Sequence, residues 1–346
     1  FIPMKKYLYL LMCCSILMVS CTTEKKEVTE EPKVPTAEKV VKELSGNRVD
    51  NYYWMKLSDE QKNAAQKDEQ TQKVINYLIA ENDYLKVKTK HTEELQKQIY
   101  DEIIGRIKQT DESVPYKDNG YWYYTRYEQG QEYPIYCRKK ETLEAPEQIL
   151  LNVNEMAKGH DYYSIVGLSV SEDNRLLAYS EDSVSRRRYT IYVKDLSSGK
   201  LVEAPVPNTE GQVTWANDNK TYFYTKKDST TLRSRWIYKH KVGNSSNADP
   251  IVSEEKDETF NVSVGKEKSR KYIVIGSEST MTTEYRILNL ETPDAEFKVF
   301  QPRVRGLEYS ISHFGDSFYI LTNKDKATNF KLMKTPENAT EKKHWK

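Results

Sequence analysis

Five units of one design fill most of the chain after Ser113, and they leave few folds open. They read SVPYKDNGYWYYTRY from Ser113, LSVSEDNRLLAYSED from Leu168, VTWANDNKTYFYTKK from Val213, NVSVGKEKSRKYIVIGS from Asn261 and YSISHFGDSFYILTN from Tyr309. Each has an alternating apolar run, a polar turn built from Asp, Asn, Gly or Lys, and a second apolar run. Alternation with period two marks a half-buried strand. Most units lead on to a third strand pattern: YTIYVKD from Tyr189, SRWIYKHK from Ser234, EYRILNL from Glu284 and NFKLMK from Asn329. The units recur every ~45–55 residues, the length of one four-stranded propeller blade. A β-sandwich is also made of short strands, but it has no reason to repeat at this spacing. The expected fold is an all-β propeller over residues 111–346, with about five blades present. Five blades can close a ring or form the first part of a larger one. ENATEKKHWK follows a strand pattern directly, and with no closing segment in view the expectation is a larger ring.

Tyrosine is the unusual component, at 26 residues against 8 Phe. A tyrosine has an apolar ring and a polar tip, which suits half-buried sheet faces better than a dry core. The densest stretch is YWYYTRYEQGQEYPIYCRK, Tyr121 to Lys139. Tyr121, Tyr123, Thr125 and Tyr127 share one face of a strand, and Trp122, Tyr124 and Arg126 the other. Gly130 supplies a turn, and Pro134 is placed at the start of the returning strand or on an edge. The expectation is that the tyrosines pair ring to ring across this hairpin.

Before the propeller the sequence has three parts. From Met4, Lys5 and Lys6 precede the apolar run Tyr7 to Val19, which is too short to span a bilayer as a permanent helix. It ends in Met18-Val19-Ser20-Cys21, similar to a bacterial lipobox, so residues 1–21 read as a lipoprotein signal peptide with Cys21 as the lipidated residue. An ordinary secretory signal and an uncleaved anchor are the alternatives. Residues 22–45 are a polar tether with Pro32 and Pro35, too poor in apolar residues to fold alone. Residues 46–110 carry two amphipathic helical patterns, at about 66–88 and 92–109. The second runs Leu95, Ile99, Ile103, Ile104 and Ile107, with Thr92 offering a cap. One apolar stripe on each helix requires a larger surface to lie on.

Little catalytic chemistry is visible. A net charge of +1, from 53 basic and 52 acidic side chains, gives no basic face for nucleic acid. The charged run Lys266 to Lys271 reads as a solvated turn. There is no G-x-S-x-G elbow: GLSVS at Gly167 and GDSFY at Gly315 each lack the second glycine. No metal motif or phosphate loop is present, and no cofactor is expected. His91, His160, His240, His313 and His344 are scattered, and each reads as a surface or satisfied polar position. Cys137 is the one cysteine outside the first segment and reads as a small buried apolar residue. Arg186-Arg187-Arg188 is either a solvated loop or a patch that binds carboxylates. The residues alone therefore point to an exported, lipidated propeller that binds or gates.

Several of these stretches resemble a known family. RVDNYYWM at Arg48, YLIAENDYLK at Tyr77, IYDEIIGRIKQTDESVPYKDNGYWYYTRY at Ile99, GHDYYSIVGLSVSEDNRLLAYSEDSVSRRRYTIYVKD at Gly159, VTWANDNKTYFYT at Val213 and GDSFYILTNKDKATNFKLMKTP at Gly315 are similar to the N-terminal part of the oligopeptidase B branch of the prolyl oligopeptidase family of serine peptidases. The likeness runs from about Val40 to Lys346. Trp54-Met55-Lys56-Leu57 departs from the family's usual Trp-Leu-Arg-Asp. The resemblance implies a seven-bladed propeller that covers the active site of an α/β-hydrolase domain and admits only short peptides. It implies cleavage after Arg or Lys, and an N-terminal helical segment that packs on the hydrolase domain. The family's Ser, Asp and His lie in a C-terminal segment that has no counterpart here, so no catalytic residue is assigned and this part alone is expected to be inactive. The implied partners are short peptides and, through Cys21, a membrane of the bacterial cell envelope, on its periplasmic or outer-membrane side. A non-catalytic propeller lipoprotein and a prolyl-specific peptidase are the alternatives.

Overall fold

A computed structural model describes residues 30–43 and 46–346. The segment read as a signal peptide, residues 1–21 with Cys21, lies outside the described residues. The described residues form two compact units that divide between Lys108 and Gln109.

The first unit holds a hairpin of β1 (Val40–Glu43) and β2 (Gly46–Val49), followed by α1 (Asp59–Asn63), α2 (Glu69–Thr89) and α3 (Glu93–Arg106). Ser58 and Gln61 form a reciprocal capping box on α1, and the Asp68 carboxylate accepts from the Thr71 amide at the start of α2. Thr92 does not cap α3 as its sequence position suggests. A 3-10 turn, Lys90–Thr92, carries the backbone from α2 into α3 in helical conformation, and the Thr92 hydroxyl donates to the Thr89 carbonyl instead. On α3 the stripe Leu95, Ile99 and Ile103, continued by Ile107 at its C-cap, is about half exposed, and no residue of this helix is buried.

The second unit is built of antiparallel blades. Blade one is β3 (Tyr116–Asp118), β4 (Tyr121–Arg126), β5 (Ile135–Lys140) and β6 (Glu147–Asn152). Blades two and three form one continuous sheet. It contains β7 (Ser164–Val170), β8 (Leu176–Asp182), β9 (Tyr189–Asp195), β10 (Val206–Trp215), β11 (Thr221–Lys227), β12 (Ser234–Lys241) and β13 (Ile251–Glu254). The long β10 closes blade two, bulges, and opens blade three: Val206 and Thr209 pair with β9, and Val213 to Trp215 pair with β11. Blade four is β14 (Asn261–Lys266), β15 (Tyr272–Glu278), β16 (Thr283–Asn289) and β17 (Lys298–Val299). Blade five is β18 (Tyr309–Phe314), β19 (Ser317–Thr322) and β20 (Lys331–Pro336). Lys334 of β20 and Lys346 exchange both backbone hydrogen bonds, the pairing of a fourth strand.

The core consists of apolar layers between successive blades. Tyr123, Leu150 and Leu151 meet Leu177 and Tyr179 between blades one and two. Ile191, Val193 and Val206 meet Trp215, Tyr222 and Tyr224 between two and three. Phe223 and Ile237 meet Val262, Ile273 and Ile275 between three and four. Phe300 and Tyr272 meet Tyr309, Phe318 and Ile320 between four and five. An inner blade is therefore buried on both faces, and β11 reads Thr-Tyr-Phe-Tyr-Thr without a polar face because Tyr222 and Tyr224 serve one layer and Phe223 the other. Each such fully buried side chain contributes about 1.5–3 kcal/mol.

The tyrosines do not pair across the β4–β5 hairpin. Opposite Tyr121, Tyr123 and Tyr124 stand Lys140, Arg138 and Cys137. Tyr123 instead stacks on Tyr116 of β3 at 5.6 Å, and the Arg138 guanidinium lies 4.0 Å from the Tyr121 ring centroid. Elsewhere the rings fill the layers between blades while the hydroxyls reach carboxylates. Tyr124 donates to Glu147, Tyr192 and Tyr163 to Glu181, Tyr222 to Glu203, Tyr224 to Asp249 and Tyr285 to Glu278. Phenylalanine could fill the layer but could not satisfy these acids, which explains the excess of tyrosine.

Candidate functional site: an axial cavity

Blade one, strands β7, β8 and β10 and the β14–β15 hairpin line a cavity of about 530 Å³. Its wall is Tyr116, Tyr123, Leu150, Leu168, Val170, Leu177, Val213 and Trp215, with Ser113, Thr125, Ser169 and Thr214 as neutral polar groups. That volume suits a ligand of a few residues.

The first hairpins of blades one to four meet at one end of this cavity. Asn119 of the β3–β4 turn donates to the Glu172 carbonyl, and Asn174 donates back to the Asn119 carbonyl at 3.1 Å. The Asp173 amide donates to Asn219, and Asn217 donates to the Arg270 carbonyl. Charge reinforces the ring. Arg270 bridges Asp118, at 2.5 Å, and Glu172, while Lys266 donates to Glu172 at 2.6 Å. Burial works against the charge of Glu172, but Lys266 and Arg270 outweigh it and hold its pKa below the usual carboxylate value. All four charged side chains line the cavity, with Glu267 and Lys268 beside them, so an ion cluster spanning blades one, two and four stands at its hairpin end.

The run Lys266 to Lys271 is therefore not a solvated turn. Lys266 and Arg270 sit in this cluster, and Lys271 pairs with Glu337 of blade five at 2.7 Å. The signal was in the repeats: Asp118, Glu172 and Lys266 all lie at or next to the first hairpin turn of their blades, and a propeller brings those turns together around its axis.

Two of the scattered histidines are buried against acids. His240 is 1% exposed and lies between Glu203, 3.0 Å from Nε2, and Asp249, 2.9 Å from Nδ1. His313 places Nδ1 2.9 Å from the Ser269 hydroxyl and Nε2 3.2 Å from Glu337. This Ser–His–Glu order resembles a triad, but Lys271 and Tyr272 also bind Glu337. The ammonium neutralises the carboxylate that would orient and charge-stabilise a base, and the arrangement joins blade four to blade five.

Cys137 is 1% exposed, and burial pushes its thiol up to about 12, with Glu147 adding to the shift. GLSVS lies along β7, and Gly315 turns the β18–β19 hairpin at φ 66°. Neither stretch is a nucleophile elbow. No histidine lines the cavity. Among the described residues no group of His, Cys, Asp and Glu could hold a metal ion, and no helix is long and apolar enough to cross a membrane. The site can hold and exclude, and it brings no nucleophile and base together.

Comparison with known proteins decides the family. Residues 32–346 match the family described as prolyl oligopeptidase, N-terminal beta-propeller domain. The chain belongs to this family. It is 37% identical to dipeptidyl aminopeptidase BI of Pseudoxanthomonas mexicana across 97% of the chain and 48% of that protein. It is 33% identical to protease 2 of Moraxella lacunata across 88% of the chain and 44% of that protein. Oligopeptidase B from Leishmania major superposes with a TM-score of 0.82 at 28% identity, over 92% of this chain and 46% of that one. The chain spans about half the length of the curated relatives it matches. What the chain carries is the N-terminal propeller portion of this family.

Proposed function

We propose that this chain is the substrate-filtering propeller of an exported serine peptidase that cuts short peptides after Arg or Lys. The observation that carries the reading is the axial cavity, narrowed at its hairpin end by the ion pairs of Asp118, Glu172, Lys266 and Arg270. A cavity of about 530 Å³ takes a short flexible chain and rejects a folded protein. The basic specificity rests on likeness to protease 2 and oligopeptidase B. The helical segment would pack on a hydrolase domain, which suits the exposed stripe of α3. Further blades would cover Phe314, Leu321 and Leu332, exposed on one face of blade five.

A second reading, removal of dipeptides from a free N-terminus, is favoured by the 37% identity to dipeptidyl aminopeptidase BI. One assay separates them. Protein carrying the hydrolase segment is expected to cleave an Arg-linked fluorogenic dipeptide, and residues 1–346 alone to release no fluorophore. Blocking the substrate's N-terminus leaves an endopeptidase active and stops a dipeptidyl peptidase. Equal turnover of a short peptide and a folded protein would remove the filter from the account.

We also propose that Cys21 carries a lipid that anchors the protein to the bacterial envelope. The support is the sequence Met18 to Cys21 behind its apolar run. Cells fed labelled palmitate are expected to label this protein and not its Cys21→Ala variant. An unlabelled wild-type chain would end the proposal.

A further inference from the structure

The arginine run Arg186 to Arg188 has no part in the cavity or its ion cluster. It forms the loop between β8 and β9. Since β8 leaves the hairpin end at Leu176 and reaches this loop at Asp182, the loop stands at the end of the propeller opposite the ion cluster. A peptide denied the hairpin end would approach the cavity from this side.

The loop is rigidly built. The buried Asp182 carboxylate accepts the amides of Val184, at 2.9 Å, Arg186, at 2.9 Å, and Arg187, at 2.7 Å. Lys227 donates to the Arg187 carbonyl, and the Arg188 guanidinium donates to the Ser229 carbonyl of blade three. Ser185 and Arg187 are held at φ 62° and 53°, a region that costs a residue with a Cβ free energy. A loop that needed only to turn would use glycine there.

The two guanidinium groups that this scaffold presents, those of Arg186 and Arg187, are exposed and have no carboxylate partner among the described residues. Arg126, Arg235, Arg270 and Arg303 all lie on acids. Asp182, the acid nearest in sequence, has both oxygens occupied by backbone amides and cannot serve. Arg186 Nη1 reaches only the Ser185 carbonyl, at 3.5 Å, and two guanidinium groups without a carboxylate on a held backbone suit a planar anion with two oxygens.

We propose that Arg186 and Arg187 form a binding site for a peptide carboxylate at the open end of the axial cavity. The inference rests on the peptide-handling reading above and adds the group by which a peptide is held.

The test is calorimetric titration of the full chain at low salt with three probes: trialanine, trialanine amide and Ala-Asp-Ala amide. At least one carboxylate-bearing probe is expected to bind about tenfold more tightly than trialanine amide. Preference for trialanine identifies the terminal carboxylate as the ligand, and preference for Ala-Asp-Ala amide identifies a side chain. Arg186→Gln with Arg187→Gln is expected to abolish the preference and leave amide binding in place. Arg187→Gly separates contact from architecture, because it relieves the positive φ. It is expected to raise the melting temperature while weakening the preference. If all three probes bind alike, or if Arg187→Gly keeps the full preference, the carboxylate site is wrong and the peptide reading survives. If none of the probes binds, both fall.

Discussion

Replacing Gly167 by alanine is expected to destabilise the propeller by about 3–5 kcal/mol, the sum of a left-handed backbone penalty and an overpacking penalty. Gly167 lies on β7 at φ +68°, and a Cβ built there would stand 1.9 Å from the Gly211 carbonyl oxygen and 2.9 Å from its carbon. Both are backbone atoms, so no side chain can move aside. Gly211 faces the same constraint in return, with its own Cβ position 2.7 Å from Val166 Cγ2. The two glycines mark the place where the inner strands of blades two and three come closest. Each of those strands is irregular there, β7 between Val166 and Ser169 and β10 between Thr209 and Val213. A methyl group at Gly167 must push the blades apart, opening the layer that holds Ile191, Trp215, Tyr222 and Tyr224. For a domain of this size the loss corresponds to a fall in melting temperature of about 10 °C. Gly265→Ala is the matched control, since Gly265 has no positive φ and nothing lies within 4 Å of its Cβ position. Thermal melts of the two variants check the argument. A Gly167→Ala protein that melts with the wild type would show that the blades do not depend on this close approach.

The repeat announced the architecture because each blade needs the same local pattern, two alternating strands about a polar turn, and that pattern is written in contiguous residues. Gly167 shows the limit. In GLSVS it reads as half of a failed catalytic motif, and its role depends on Gly211, a residue of the next blade. The same limit hid the ion cluster. Asp118, Glu172 and Arg270 are far apart in the chain and meet only because the hairpins share an axis. Likewise, Tyr222 and Tyr224 could be recognised as half-buried rings, but not as donors to Glu203 and Asp249, because those acids lie in connections between strands. Periodicity reports which way a side chain faces. It carries no information on what another blade presents to it.

His240 yields the second large effect, and its sign can be worked out. Burial alone would lower the pKa of this imidazole. Hydrogen bonds and charge from Glu203 and Asp249 outweigh burial, so the folded value lies above 6.5. A raised folded pKa means that the cluster stabilises the fold fully below about pH 6.5 and progressively loses that contribution as pH climbs through the folded value. Glu203 acts in the opposite direction. Burial would raise its pKa, but His240 and the Gly243 amide hold it below 4.5, so its contribution is present above that pH and is lost on acidification. The cluster is thus at its strongest between about pH 4.5 and 6.5. Tyr222, Tyr224 and the Gly243 amide also donate to the two acids, but none of them carries a positive charge. His240→Gln keeps a polar side chain of similar reach and removes the cation, leaving two buried carboxylates without a counter-charge. At pH 6 the variant is expected to be about 3–5 kcal/mol less stable than the wild type. The difference should shrink toward pH 9, because the wild-type imidazole then loses its proton as well. Urea melts at pH 6 and pH 9 test this directly. A gap that stays constant between the two would mean that His240 holds its place by shape and hydrogen bonding, with no charge at either pH.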